Sequence, residues 1–284
     1  MAKKRLAVAV PASVISDTPH LREKTSKIGC IGRAAAIYRV DEIIVYADDA
    51  KADQRRDLDL IATLLGYMET PQYLRKRLFQ LKPELQFAGI LPPLRTPHHP
   101  LNRKARDLKV GEYREGVVVS RAKKGVLVDI GVERPALLPD GTVAVNKRLT
   151  VKIAKVNDSV EVQYASRDDI PDYWGYAVTV EPHSLKHLLS EPRFDLVIGT
   201  SKFASMFQEV AGSLSEKWAK AKSVLLVFGA PARGLFEIAR DEGVNLNDAV
   251  DFVVNILPGQ GTETVRTEEA LIASLAVLNV QFGF

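Results

Sequence analysis

The strongest constraint on this chain is an alternation of short apolar runs with helically spaced segments, broken once by a stretch that can form neither. Residues 6–11 read as a buried strand, 21–38 place apolar residues at helical spacing, 42–46 are β-branched, and 53–65 are helical again. Strand and helix in turn are the signature of a parallel sheet. A basic amphipathic helix is expected over 72–81, carrying Arg75, Lys76 and Arg77. Regular structure then stops at residues 91–100, where four prolines in ten residues forbid helix and central strand alike.

Beyond the prolines the pattern changes. Residues 113–121, 125–132, 149–156 and 160–164 are short β-rich runs separated by Gly, Asp and Asn turns. They predict a small all-β module that resembles an OB-fold in length and in its Gly-Val-Leu-Val-Asp-Ile-Gly strand at 125–131. After residue 171 the alternation resumes, with strands at 176–180, 194–198, 224–228 and 252–257. Helices are expected around Ser184, Ala204 and Leu235 and over 268–278. The reading is one α/β domain, residues 1–97 and 168–284, interrupted by a β-barrel over 98–167. Such an insertion is tolerated because added loop length carries a small entropic cost.

Charge follows the same division. Residues 102–165 hold thirteen Lys/Arg against eight Asp/Glu, and the rest of the chain is nearly balanced at 26 against 27. A basic module on a balanced chain suits a polyanionic partner, though a solvated charged face would carry the same surplus. The one cysteine, Cys30, excludes an intramolecular disulfide and a cysteine-built zinc site, so no metal and a reducing cytoplasmic setting are expected. The apolar stretch after Met1–Arg5 is too short for a signal sequence or a membrane span.

Three segments in the last third, 195–201, 224–234 and 252–264, share one design: an apolar strand that ends in small residues with exposed backbone N–H groups. Ligands of open parallel sheets bind beyond the carboxyl ends of strands, so three such ends predict one crevice. The Gly229-to-Gly234 gap is that of a P-loop, but Leu235 and Phe236 stand where the phosphate-binding Lys and Ser/Thr belong. Gly259-x-Gly261-x-x-Thr264 approaches a dinucleotide fingerprint, but the acidic residue of a following strand has no room before Phe284.

Two stretches, Ile256-Leu-Pro-Gly-Gln-Gly-Thr-Glu-Thr-Val-Arg-Thr-Glu-Glu-Ala-Leu271 and Val227-Phe-Gly-Ala-Pro-Ala-Arg-Gly-Leu235, resemble the cofactor loops of SPOUT-class methyltransferases. Ala7-Val-Ala-Val-Pro-Ala-Ser-Val-Ile15 and Ile31-Gly-Arg-Ala-Ala-Ala-Ile-Tyr-Arg-Val-Asp-Glu-Ile-Ile-Val-Tyr46 are similar to the archaeal and eukaryotic branch that carries an OB-like insertion. The resemblance implies a trefoil-knotted sheet, S-adenosylmethionine as cofactor, a homodimer, and methylation of structured RNA, ribosomal RNA first, with a uridine base nitrogen ranked above a ribose hydroxyl. A non-catalytic RNA-binding or ribosome-assembly factor that keeps the fold is the alternative.

On this reading Gly229, Gly234, Pro258, Gly259 and Gly261 present backbone to the cofactor. Thr200, Thr262 and Thr264 are candidate hydroxyl contacts, and Ile256, Leu257, Leu271 and Ala276 an apolar wall for adenine. Methyl transfer from a sulfonium is a single in-line displacement, so alignment and proton removal are the protein's tasks. Arg33 is the first catalytic candidate, followed by Arg266 and Glu263; Glu268 and Thr267 are expected to cap the last helix. Arg103, Lys104, Arg106, Lys123 and Lys124 are candidate phosphate contacts and Tyr113 a base-stacking ring. His98 and His99 are adjacent in the proline-rich segment, a position from which two side chains seldom converge on one ligand.

Overall fold

The computed structural model describes residues 4–283. In chain order its strands and α-helices are β1 (Arg5–Pro11), α1 (Leu21–Ile37), β2 (Glu42–Tyr46), α2 (Arg55–Glu69), α3 (Gln72–Leu78), β3 (Tyr113–Ala122), β4 (Gly125–Asp129), β5 (Ala136–Pro139), β6 (Arg148–Val156), β7 (Val160–Tyr164), β8 (Ala177–Glu181), α4 (Leu185–Ser190), β9 (Leu196–Met206), α5 (Phe207–Lys220), β10 (Ser223–Val227), α6 (Leu235–Asp241), α7 (Leu246–Ala249), β11 (Phe252–Asn255) and α8 (Thr267–Phe282). They divide into two compact units. Among the described residues one holds 4–68, Glu84–Pro93 and 176–283; the other holds Glu69–Pro83 and Leu94–Gly175, wider on both sides than the 98–167 segment.

The first unit is built on a six-stranded sheet in the order β11-β9-β10-β1-β2-β8, every pair parallel. Its strands read as unbroken apolar runs because a parallel sheet is covered on both faces; β1 is buried from Leu6 to Pro11 and β2 throughout. On one face Ala7, Ala9, Ile44, Tyr46, Leu225 and Val227 pack with Leu185 and Leu188 of α4 and Leu235 and Ile238 of α6. Each fully buried Leu or Ile here contributes about 1.5–3 kcal/mol, so this core holds the sheet. Tyr46 meets its polar need in the interior by donating to the Phe228 carbonyl at 2.6 Å. The chain runs outward from β1 to β2 and β8, then returns on the far side of β1 to lay down β9, β10 and β11. That reversal puts a switch point beside β10, where ligands of open sheets bind.

One expectation fails here. Ala204 lies in β9, not in a helix, and α5 begins only at Phe207. The end of β11 pairs with Ser205 and Met206 and holds them extended; that long-range ladder overrides a weak local preference. Strand β5 and the short α7 carried no periodic signal.

The second unit contains a closed barrel, β3-β4-β5-β7-β6, with β6 returning to β3. Alternate residues point inward: Val126, Val128 and Ile130, then Leu149, Val151 and Ile153, then Val160 and Val162. Register shifts at Val118/Ser120 and Ile153/Lys155 supply the bends that closure requires. Beside the barrel lies a buried charge network. Arg148 grips Glu69 with two N–H donors at 2.6 and 3.0 Å and Glu115 with a third at 2.5 Å. Glu115 also accepts from Trp174 Nε1 and the Thr150 hydroxyl, and Arg167 donates to Glu69 at 3.0 Å. Burial works to raise the Glu69 carboxyl, but Arg148, with His98 and Arg167, brings it below the usual range. These pairs bind residues 69–70 and the segments at 167 and 174 to the barrel.

His98 and His99 belong to this network. Both Nε2 atoms do converge, at 2.9 and 2.7 Å, on the carbonyl oxygen of Glu69. Burial lowers both imidazoles, and the neighbouring His98 helps hold His99 down at about 4.

Candidate functional site

The bulged segment of β9 and the loops after β10 and β11 come from three neighbouring strands and enclose a cavity of about 310 Å³. Its walls are Thr200–Phe203 from β9, Phe228–Ala232 with Gly234 and Leu235 after β10, and Val254–Leu257, Gln260, Thr264 and Val265 from β11 and its loop. The first turns of α8 complete it through Thr267, Ala270 and Ser274, which share one helix face by their spacing.

Side-chain hydroxyls and amides tie the loops together. Thr200 donates to the Val227 carbonyl at 3.1 Å, and Thr267 to the Gly229 carbonyl at 2.9 Å. Lys202 reaches the Glu263 carbonyl at 2.9 Å, while Asn255 donates to the Lys202 carbonyl at 3.0 Å. The β10 loop has a longer tether. Arg233 donates to the carbonyl of Asp48 at 2.8 Å and to its carboxylate at 3.2 Å; Asp48 also accepts from the Ser13 amide and Gln54 Nε2. With its side chain fully buried, Asp48 is a fixed post beyond β2. Against this use of polar groups Ser274 stands out. It is 1% exposed, lines the cavity, and its hydroxyl has no hydrogen-bond partner among the described residues.

Thr200, Gly229, Gly234, Ile256, Leu257 and Thr264 line the cavity. Pro258, Gly259, Gly261 and Thr262 lie in the same loop but off the lining, and Leu271, on α8, is wholly buried and also off the lining. Gly229 is required by the protein itself, since a Cβ there would meet the Leu235 amide at 2.6 Å. Gly259 turns with φ +69° in open space, a left-handed turn that favours glycine.

Arg33 sits on α1 and donates to the Pro93 carbonyl at 3.0 Å. Exposed Glu263 gives its carbonyl to Lys202 and Gln260. Arg266 precedes α8, and its amide donates to Glu269 at 2.9 Å. The expected acidic cap therefore shifts by one residue: Glu269 closes the helix start, Thr267 braces the β10 loop, and Glu268 turns inward to Lys27 at 3.5 Å.

In the other unit Arg103, Lys104, Arg106, Lys123 and Lys124 are exposed, with Arg106 3.8 Å from Asp107. Tyr113 is half-buried: Lys152 stands over its ring at 5.3 Å, Trp174 meets it edge-on at 6.2 Å, and its hydroxyl donates to the Asp169 carbonyl. No metal was expected, and the fold does bring Glu181, His187 and Glu191 together with ligand atoms within 4.8 Å. The 3.1 Å contact of His187 with Glu181 accounts for two of the three. Among the described residues no helix is long and apolar enough to cross a membrane.

Sequence reasoning missed Lys202, Phe203, Arg233 and Ser274. Only Arg233, inside a quoted loop, carried a visible signal; its partner Asp48 lies 185 residues away.

Comparisons with known proteins place the chain in a family. A family model described as "Putative RNA methyltransferase" matches residues 5–278. The chain is 32% identical to the fruit fly 28S rRNA (uridine-N(3))-methyltransferase over 96% of its own length and 61% of that protein. It is 34% identical to the human protein of the same name, over 96% of this chain and 77% of that one. An uncharacterised protein of Haloarcula marismortui is 33% identical, over 96% and 98% of the two chains. By the extent of the family match, the chain belongs to this RNA methyltransferase family.

Proposed function

We propose that this chain methylates a uridine base nitrogen of ribosomal RNA, holding S-adenosylmethionine in the cavity bounded by the loops after β10 and β11. The observation that carries the reading is the convergence of three loops on one cavity with an unpartnered hydroxyl, Ser274, in its wall. A buried hydroxyl without a partner costs free energy, and an adenosine or amino-acid group of the cofactor would satisfy it. Ile256, Leu257 and Ala270 offer the apolar surface that an adenine needs, and the loop backbones offer donors and acceptors. When bound, the cofactor supplies an electrophilic methyl group.

The chain's own work is then to align the acceptor and to take up the proton that the uridine nitrogen loses. Arg33, Arg266 and Glu263 are the groups we assign to that work, with Pro258, Gly259, Gly261, Thr262 and Leu271 shaping the loop and its backing. A guanidinium near the base favours its deprotonated form. The exposed cations Arg103, Lys104, Arg106, Lys123 and Lys124 of the barrel unit, an OB-like module, would grip phosphates, with Tyr113 as a base-stacking ring. We further propose the trefoil-knotted SPOUT topology and a homodimer; both rest on the resemblance of the quoted loops.

The test is mass spectrometry of ribosomal RNA from cells lacking the chain. One N3-methyluridine is expected to disappear and to return with the intact gene. Ribosomal RNA unchanged in every methylated uridine would contradict the proposal.

A further inference from the structure

Strand β9 leaves its ladder with β11 in an unusual way. Val253 opposes Gly199, but the next residue, Val254, opposes Ser205, so residues 200–204 have no counterpart on the neighbouring strand. An ordinary bulge adds a single residue. This one places Thr200, Ser201, Lys202 and Phe203 along the cavity wall. It is held firmly: Thr200 is bonded to Val227, the Lys202 carbonyl to Asn255, the Lys202 ammonium to Glu263, and the Phe203 amide to Ser201 Oγ at 3.2 Å.

Such a fixed excursion ends in a ring that the fold does not use. Phe203 is 75% exposed although it lines the cavity, and the charged end of Lys202 stands 5.1 Å from its ring centroid. Leaving a phenylalanine in water forgoes roughly the 1.5–3 kcal/mol its burial would contribute. Methylation at a base nitrogen requires the nucleotide to leave its stack, and a displaced base is commonly received on an aromatic face.

We propose that Phe203 is the platform on which the acceptor base stacks at the mouth of the cavity, with Lys202 fixing the platform through Glu263. The proposal rests on the reading of the cavity as the methyl-donor site. It goes further by naming the residue that receives the base. Lys202 adds a positive charge at that edge, where the phosphate of the displaced nucleotide must pass.

The test uses the full chain and ribosomal RNA from cells that lack it. Phe203→Ala, Phe203→Leu and Phe203→Tyr are compared for methyl incorporation, adenosylmethionine affinity and molecular mass by light scattering. Because the ring is exposed, all three should fold. Ala and Leu are expected to lower kcat/KM for RNA by about 5- to 150-fold, the range that loss of one base–aromatic stack gives. Tyr should stay close to the parent, and all three should bind adenosylmethionine as the parent does. Three outcomes would overturn the proposal: full activity in Leu, cofactor affinity falling in step with rate, or a change of mass showing that a second copy covers the ring. A parent chain with no adenosylmethionine affinity would instead overturn the reading of the cavity, and the platform with it. Cofactor binding with a rate indifferent to Phe203 would sink the platform alone.

Discussion

The two units use buried polar groups in opposite ways. In the barrel unit Glu69, Glu115 and Arg148 consume one another, and Trp174, Thr150 and Arg167 take the remaining acceptor positions. In the cavity the side chains of Thr200, Thr267, Lys202 and Arg233 fix loop carbonyls, yet Ser274 is left with nothing to bond. A set of mutual ion pairs holds architecture, whereas a rigid frame around a cavity with an unmet hydroxyl in its wall is prepared for a ligand. Both regions are rich in polar contacts and each leaves a buried polar atom unmet, His98 Nδ1 in the one and Ser274 Oγ in the other; what sets Ser274 apart is that it lines the cavity.

The comparison is broken most easily at Glu69. Glu69→Ala leaves Arg148 and Arg167 without their shared carboxylate, and should cost about 3–5 kcal/mol in chemical denaturation. Adenosylmethionine affinity of the folded protein should be unchanged. A variant as stable as the parent would show that the network is surface decoration.

Acid tests the same network by a second route. The folded state holds His99 at about 4 against an ordinary 6.5, so it refuses a proton that the unfolded chain accepts between those values. Stability is therefore complete above pH 6.5 and lost as pH falls toward 4, by up to about 3 kcal/mol. Glu69, held below the usual carboxylate range, adds its own loss only at lower pH still. Denaturation midpoints between pH 7 and 4.5 should fall for the parent and flatten in His99→Gln; parallel curves would rule the imidazole out.

On the cavity side, Asp48→Asn removes the charge that anchors Arg233 and with it the β10 loop. We expect adenosylmethionine affinity to weaken roughly tenfold, read by calorimetry, with native circular dichroism. An unaffected affinity would mean that the loop needs no post. The smallest effect sharpens the contrast most. Ser274→Ala deletes a buried hydroxyl with no protein partner, so the unliganded protein should gain up to about 1 kcal/mol of stability while cofactor affinity falls about threefold to tenfold. A destabilised variant with full affinity would reverse the assignment.

Much of the first unit was legible because strands buried on both faces write themselves as apolar runs: Leu6–Val10, Ile43–Val45 and Val224–Phe228 could hardly be anything else. The cavity was legible as three glycine-bearing strand ends. What was hidden depends on partners far away in sequence. Residues 200–206 are extended only because β11 pairs with Ser205 and Met206, and Arg233 matters only because Asp48 waits beyond β2. Ser274 sits in an apolar helix where a lone serine carries no message. Glu69, Glu115 and Arg148 carried no signal, since nothing in a linear pattern says that three charges so far apart in sequence share one interior.

The central claim is that the loops around Gly229 and Gln260 form a binding site for a sulfonium nucleoside. Calorimetric titration of the purified chain with adenosylmethionine, its demethylated product and ATP tests this most directly. The account predicts micromolar binding of the first two and none of ATP. Failure of both nucleosides to bind, or equal binding of ATP, would contradict it.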